Sequence, residues 1–295
     1  MRSWRSLLCA ALITLSSAGA LAQTDKATPW MATPWMSDWS KEEKALALNL
    51  GIGAAVLGWG FANWDFGTSS PRFQDEGWFG RETDEGGADK LGHLYTAYLF
   101  SHLFAAQYER WDFEKDEAIQ WGALSSFGIT GLIEVGDAFS DRYGFSYQDM
   151  VFNTLGAAAG YLLWSFPELS RKIDLRVEYN PFLSGDHQFD VTTDYDRLSY
   201  LIAFKAEGFD FIENPYLKYL ELHVGFRARN YAAYSDRPDV DLRKQFLYVG
   251  IGLNLSKLLR PYLDVPVFNY VQMPILLANH LRQIEAGQAG KMLPA

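Results

Sequence analysis

Three pairs of polar residues have types and spacing that could do chemistry. Asp89 and His93 stand four apart, Glu134 and Asp137 three apart, and Asp149 and Asn153 four apart. On an α-helix each spacing puts both side chains on one face. A carboxylate and an imidazole can move a proton, with His93 as base and Glu134 or Asp137 as acid. The same three residues, His93, Glu134 and Asp137, are candidate metal ligands. Lys90 stands beside Asp89 as a countercharge. Other chemistry is thin: the sequence has no phosphate-binding glycine loop and no HExxH. Ser101-His102 falls mid-helix without a nearby acid, which argues against a Ser-His hydrolase. His187, His223 and His280 are scattered, and His223 is expected on the polar face of a strand.

Helices must position these residues. The first is predicted from Ser40, a good N-cap before Lys41-Glu42-Glu43, to Asn63. The second runs over Ala88–Glu109, the third from near Phe113 to Ala138, and the fourth from Ser146 to the stop at Pro167. Ser146 and Asp149 read as a capping box. Short connections favour antiparallel packing of helices two, three and four. That packing brings Asp89, His93, Glu134, Asp137, Asp149 and Asn153 to one end of the bundle. Gly131, Gly156 and Gly160 suggest close helix contact, the last two at small-xxx-small spacing.

Glu134 and Asp137 lie in the last turns of their helix, where the macrodipole disfavours anions. Compensation could come from Lys90, Arg142, a protonated His93, the N-termini of helices two and four, or a bound cation. Three readings stay open: a structural hydrogen-bond network, a binding or metal site, and a catalytic site.

After Pro167 the period changes to two. Ile173, Leu175, Val177 and Tyr179 alternate with Asp174, Arg176, Glu178 and Asn180. Further strands are expected at Leu198–Ala206, Leu220–Arg229 and Gln245–Leu255, the last two joined by a long loop containing Pro238. Beyond Ser256 the reading is a short helix, an irregular stretch and a terminal helix near Ile275–Ile284. The expected class is α+β: a four-helix antiparallel bundle over 41–168, then a small antiparallel sheet of about four strands over 169–256 and an irregular or helical tail over 257–295.

The ordered set Asp89-Lys90-x-x-His93, Gly131-x-x-Glu134-x-x-Asp137 and Phe145-Ser146-x-x-Asp149-x-x-x-Asn153-x-x-Gly156 resembles the YfiM-like predicted periplasmic lipoproteins. More remotely it resembles the VanZ-like membrane proteins. The resemblance spans about residues 88–165 and implies a compact helical bundle in the cell envelope. It implies no established activity.

Export is also written in the first 22 residues. Arg2 and Arg5 precede an apolar run, Leu7–Leu15, and Ala20-Leu21-Ala22 is a small-x-small cleavage site. Cys9, the single cysteine, sits inside the apolar run without a small residue before it, which argues against lipid attachment. Residues 23–40 hold a tandem Ala-Thr-Pro-Trp-Met repeat, with Trp30 and Trp35 as surface or bilayer contacts. The formal charge of −10 disfavours nucleic acid as a partner. Aromatics at 16% suit an envelope interface.

Each long helix has a largely apolar stretch near the spanning minimum. Four spans after an exported N-terminus would leave loop 64–90, with Arg72, Arg81 and Lys90 against seven acidic residues, facing the cytoplasm. That opposes the positive-inside rule, so bilayer spanning is left open. The expected protein is a non-enzymatic component of a Gram-negative-type envelope, periplasmic and membrane-associated, contacting membrane or a protein partner and needing no cofactor. The alternative is a binder or hydrolase of envelope lipid or lipid-linked saccharide using His93, Glu134 and Asp137.

Overall fold

The computed structural model describes residues 36–180, 194–231, 240–262, 266–273 and 276–284. The export signal, Trp30, Trp35, His187 and Pro238 lie outside the described residues.

Four long helices come first: α1 (Lys41–Asn63), α2 (Ala88–Arg110), α3 (Lys115–Ala138) and α4 (Tyr147–Ser165). Ser40 caps α1 through a complete capping box: its Oγ accepts from Glu43 N at 3.2 Å, and its own N–H donates to Glu43 Oε2 at 2.8 Å. Asp112, with φ at 64°, turns the chain between α2 and α3. Phe166 leaves helical geometry directly before Pro167, as a residue preceding proline tends to, and α4 ends there. A one-turn helix, α5 (Pro167–Ser170), follows.

The strands are β1 (Ile173–Tyr179), β2 (Leu198–Lys205), β3 (Leu220–Arg229) and β4 (Lys244–Leu253), then helix α6 (Leu255–Leu259), β5 (Val271–Gln272) and β6 (Leu276–Ile284). They form one sheet in the order β5-β1-β2-β3-β4-β6. The β1–β2, β2–β3, β3–β4 and β4–β6 pairs are antiparallel, and β5 adds a short parallel pair to β1.

Two expectations change here. Among the described residues the sheet has six strands, two more than the four expected over 169–256, and Leu276–Ile284 is a strand rather than a terminal helix. The segment Leu-Leu-Ala-Asn-His-Leu-Arg-Gln-Ile has good helix formers and no clean period of two. Pairing along the whole of β4, from Gln245–Ile284 to Gly252–Leu276, overrides that propensity.

The chain divides into two compact units. Residues 76–95 and those from 166 onward form one; residues 36–75 and 96–165 form the other. Helix α2 begins in the first and continues in the second.

In the helical unit α1 and α3 run parallel, and α3 runs antiparallel to α4 and to the second part of α2. Lys41 pairs with Glu117, while Gly60 and Gly136 both face the ring of Phe66. Gly122 meets Ser101 and Ala105, Ser126 Oγ donates to Ala97 O at 2.7 Å, and Gly131 meets Met150. The apolar cluster here is Phe104, Tyr108, Phe113, Ala118 and Ile129, with Leu48, Ile52 and Val56 of α1 against it.

In the sheet unit Ala88, Phe226, Ala228 and Tyr231 pack together with Phe79, Leu91 and Tyr195. Gly86 and Gly87 shape the turn into α2 at φ of 60° and 80°, and a Cβ on Gly86 would meet the Tyr231 ring at 2.4 Å. Gln245 Nε2 donates to the carbonyls of Phe79 and Gly86, so one strand end holds this turn.

Candidate functional site

The last turns of α3 and the first turn of α4 bring together Glu134, Ser146, Gln148, Asp149 and Asn153, all buried. Ser146 Oγ accepts from Asp149 N at 3.3 Å, which is one half of the expected capping box. The N–H of Ser146 donates to Glu134 Oε2 at 3.4 Å. A carboxylate of the preceding helix therefore takes part in capping the next one. The macrodipole penalty on an acid at a helix C-terminus is offset here by the positive N-terminus of α4. Ser146 Oγ also meets Gln148 Oε1 at 3.3 Å, and Gln148 Nε2 donates to Asp75 Oδ1. Carboxylate oxygens of Glu134 and Asp149 approach within 4.8 Å, a separation that one cation could bridge.

Asp137 is half-buried at the end of α3. Arg142, a possible countercharge, lies over the Tyr143 ring with its guanidinium 5.1 Å from the centroid. Gly160 meets α2 closely: a Cβ there would come within 2.6 Å of Ser101 Cβ and 3.1 Å of Tyr98 O. Gly156 is buried, and Gly131 has only ordinary contact with Met150.

In the sheet unit, the first turns of α2 carry Asp89, Lys90 and His93. Lys90 is 1% exposed and its ammonium sits between Glu76 Oε2 at 2.5 Å and Asp89 Oδ2 at 2.7 Å. Two carboxylates therefore neutralise one buried cation, the arrangement burial of a lysine requires. His93 is half-buried one turn later. Glu85, beside Asp84, Asp89, Asp194 and Asp196, has its carboxyl pushed up to about 8 by burial and by these acids.

The sequence reading missed a second polar constellation. Asp174, Arg176, Lys205, Glu221 and His223 share one face of β1, β2 and β3 and are all buried. Arg176 grips Glu221 with two hydrogen bonds of 2.7 and 2.8 Å, and donates to Asp174 at 2.7 Å and Gln272 at 3.0 Å. Lys205 donates to Asp174 Oδ1 at 2.7 Å, and His223 Nε2 meets Glu221 Oε2 at 3.1 Å. The available signal was charge of both signs at alternating positions of several strands.

The likeness to a known family falls on the helical segment that carries the ordered Asp, His, Glu and Asn motif. Residues 75–165 match the family model described as predicted periplasmic lipoprotein (DUF2279). The match covers α2, α3 and α4 and leaves out α1 and the whole sheet. This lipoprotein family supports an exported, envelope-associated chain and assigns it no reaction. No match was found among curated proteins or among solved structures.

Proposed function

We propose that the chain is a membrane-embedded envelope protein whose helical unit faces lipid with apolar side chains and keeps its polar network inside, serving a structural or interaction role. The observation that carries this reading is a polar network buried beside the Phe104–Tyr108 apolar cluster while apolar stripes face outward. Ser101, His102, Ser126, Thr130, Glu134, Gln148, Asp149 and Asn153 are buried. Leu46, Leu50, Phe61, Trp121, Leu124, Val135, Val151, Leu155 and Leu162 are exposed. A water-soluble bundle faces solvent with polar stripes and rarely buries this many polar side chains together. Val151 and Leu155 stand one turn apart on α4, and Leu162 continues the same stripe. Helix α1 is long and apolar enough to cross a membrane, and 11% of its most apolar window is buried. In hydrocarbon the inward polar groups gain from internal pairing, such as His102 Nε2 with Gly160 O at 3.0 Å and Ser126 Oγ with Ala97 O. The test is extraction of envelope fractions: the protein stays with membranes through alkaline carbonate and leaves with detergent. Release by carbonate overturns the reading.

A second reading has a specific support, the approach of Glu134 and Asp149. It makes the pair the core of a metal site serving an envelope lipid or lipid-linked saccharide, with Asp137 of the same unit as a further candidate ligand. Metal analysis of detergent-purified protein tests it. Stoichiometric Mn²⁺, Zn²⁺ or Ca²⁺ lost in Glu134→Gln supports it, and equal trace metal in both proteins rejects it.

A further inference from the structure

The sheet has two faces of opposite character. One carries the buried Asp174, Arg176, Lys205, Glu221 and His223 network. The other carries Leu175, Val177, Tyr200, Ile202, Phe204, Leu222, Val224, Phe226, Leu247, Val249 and Ile251, which stand in cross-strand rows. Leu175, Ile202, Val224 and Val249 form one row, and Ile173, Phe204, Leu222 and Ile251 the next. Toward one strand end this apolar face is covered: Phe226 and Ala228 pack under Phe79, Ala88 and Leu91. Toward the other end it is bare, with Ile202, Leu222, Val224, Leu247, Val249 and Ile251 all exposed.

The loops at the bare end sharpen the picture. The β2–β3 connection presents Phe211 and Tyr216, each 81% exposed, and Tyr262 follows α6 at 87%. Large aromatics held in the open beside an aliphatic patch are costly in water and are characteristic of a membrane–water boundary. Charge divides the same way. At the covered end Glu82, Asp84, Glu85, Asp89, Asp194, Asp196 and Asp241 outnumber the basic residues, whereas the bare end sets Arg171, Lys172, Lys218, Lys257 and Arg260 against Glu168, Glu207, Asp210 and Glu213, with Arg171 and Lys257 already paired to acids. In a chain of net charge −10, that is the end an anionic lipid headgroup would accept.

We infer that the bare half of this apolar face, with its rim of Phe211, Tyr216 and Tyr262, seats on the hydrocarbon boundary of an anionic phospholipid bilayer. The polar network behind it makes this the outward face of the sheet, because a face whose charges are mutually paired and buried already serves as the interior. The aliphatic residues enter the acyl boundary, the three aromatics lie at headgroup level, and Lys172, Lys218 and Arg260 meet lipid phosphate. This goes beyond the embedding of the helices and concerns the other unit alone.

The test uses the full chain with Cys9, its one cysteine, replaced by Ser. Single cysteines at Leu222, Val249, Phe211 and, as control, Lys244, exposed at the covered strand end, carry a polarity-sensitive fluorophore. The protein is reconstituted in phosphatidylethanolamine–phosphatidylglycerol vesicles with and without chain-labelled doxyl lipid. Blue-shifted emission and at least twofold quenching are expected at Leu222 and Val249, shallower quenching at Phe211, and none at Lys244. Emission at Leu222 and Val249 as water-exposed as at Lys244 overturns it. So does concentration-dependent Leu222-to-Leu222 disulfide formation without lipid quenching, which would assign the face to a second copy. Quenching at cysteines on α4 reads the helical unit separately, so failure of one claim does not masquerade as failure of the other.

Discussion

Glu134, in the penultimate turn of α3, accepts the backbone N–H of Ser146 at the start of α4 at 3.4 Å. An acid placed where its own helix repels it becomes the cap of its neighbour. The Phe139–Phe145 loop between them is fastened from the same unit, with Arg72 donating to the carbonyls of Ser140, Asp141 and Tyr143. Replacing Glu134 by Ala removes a buried charge's acceptor role and leaves the α4 terminus short of a partner. A loss of about 2–4 kcal/mol is expected, with Glu134→Gln losing less than half of that. Thermal unfolding in detergent checks the order; equal stability of Ala and Gln variants would remove the capping role.

The glycines of α3 give a contrast within one helix. A Cβ on Gly122 would meet Ser101 O at 2.7 Å and Ala105 N at 2.8 Å, both backbone atoms of α2. Gly128 faces open space. Gly122→Ala is expected to destabilise by about 1–3 kcal/mol through overpacking. Gly128→Ala is expected to stabilise by about 0.5–1 kcal/mol through helix propensity. Opposite signs in paired melting curves are the expected result.

Much of this arrangement was legible. The four long helices and first four strands follow from caps, proline stops and the change of period after Pro167, because those signals are local. The meeting of Glu134 with Asp149 was legible too, since short connections force α3 and α4 antiparallel. Burial of Asp174, Arg176 and Glu221 was not. A strand's alternation says that it has two faces and is silent on which one is inside. The strand at Leu276–Ile284 was hidden because only long-range pairing with β4 makes it one.

Breaking the Arg176–Glu221 pair tests that buried face. Arg176→Ala would take from Glu221 and Asp174 the guanidinium that both accept from, leaving them only His223 and Lys205 respectively. A loss of about 3–5 kcal/mol is expected. The double variant Arg176→Met/Glu221→Leu should recover a substantial part of it. A double-mutant cycle with no coupling would contradict the pairing.

Glu85 sets a pH dependence. Its carboxyl is pushed up to about 8 by burial and acidic neighbours, against an ordinary value of 4.5. Its contribution is full below pH 4.5, where both states are protonated. Between about 4.5 and 8 the unfolded chain ionises first, so stability falls as pH rises. Glu85→Gln should remove that slope and raise stability at pH 8 by on the order of 1–3 kcal/mol. Parallel pH profiles for the two proteins would contradict it.

The central claim is that the exposed apolar stripes of the helices lie in lipid. The most direct measurement is labelling of single cysteines at Leu124, Val151 and Leu155 by a membrane-impermeant maleimide, in a Cys9→Ser background, on isolated envelopes. A cysteine at Ser70, exposed in the loop after α1, serves as the accessible control. Labelling is expected at Ser70 at once, and at the three apolar positions only after detergent is added. Rapid labelling of Leu124, Val151 and Leu155 in intact membranes would contradict it.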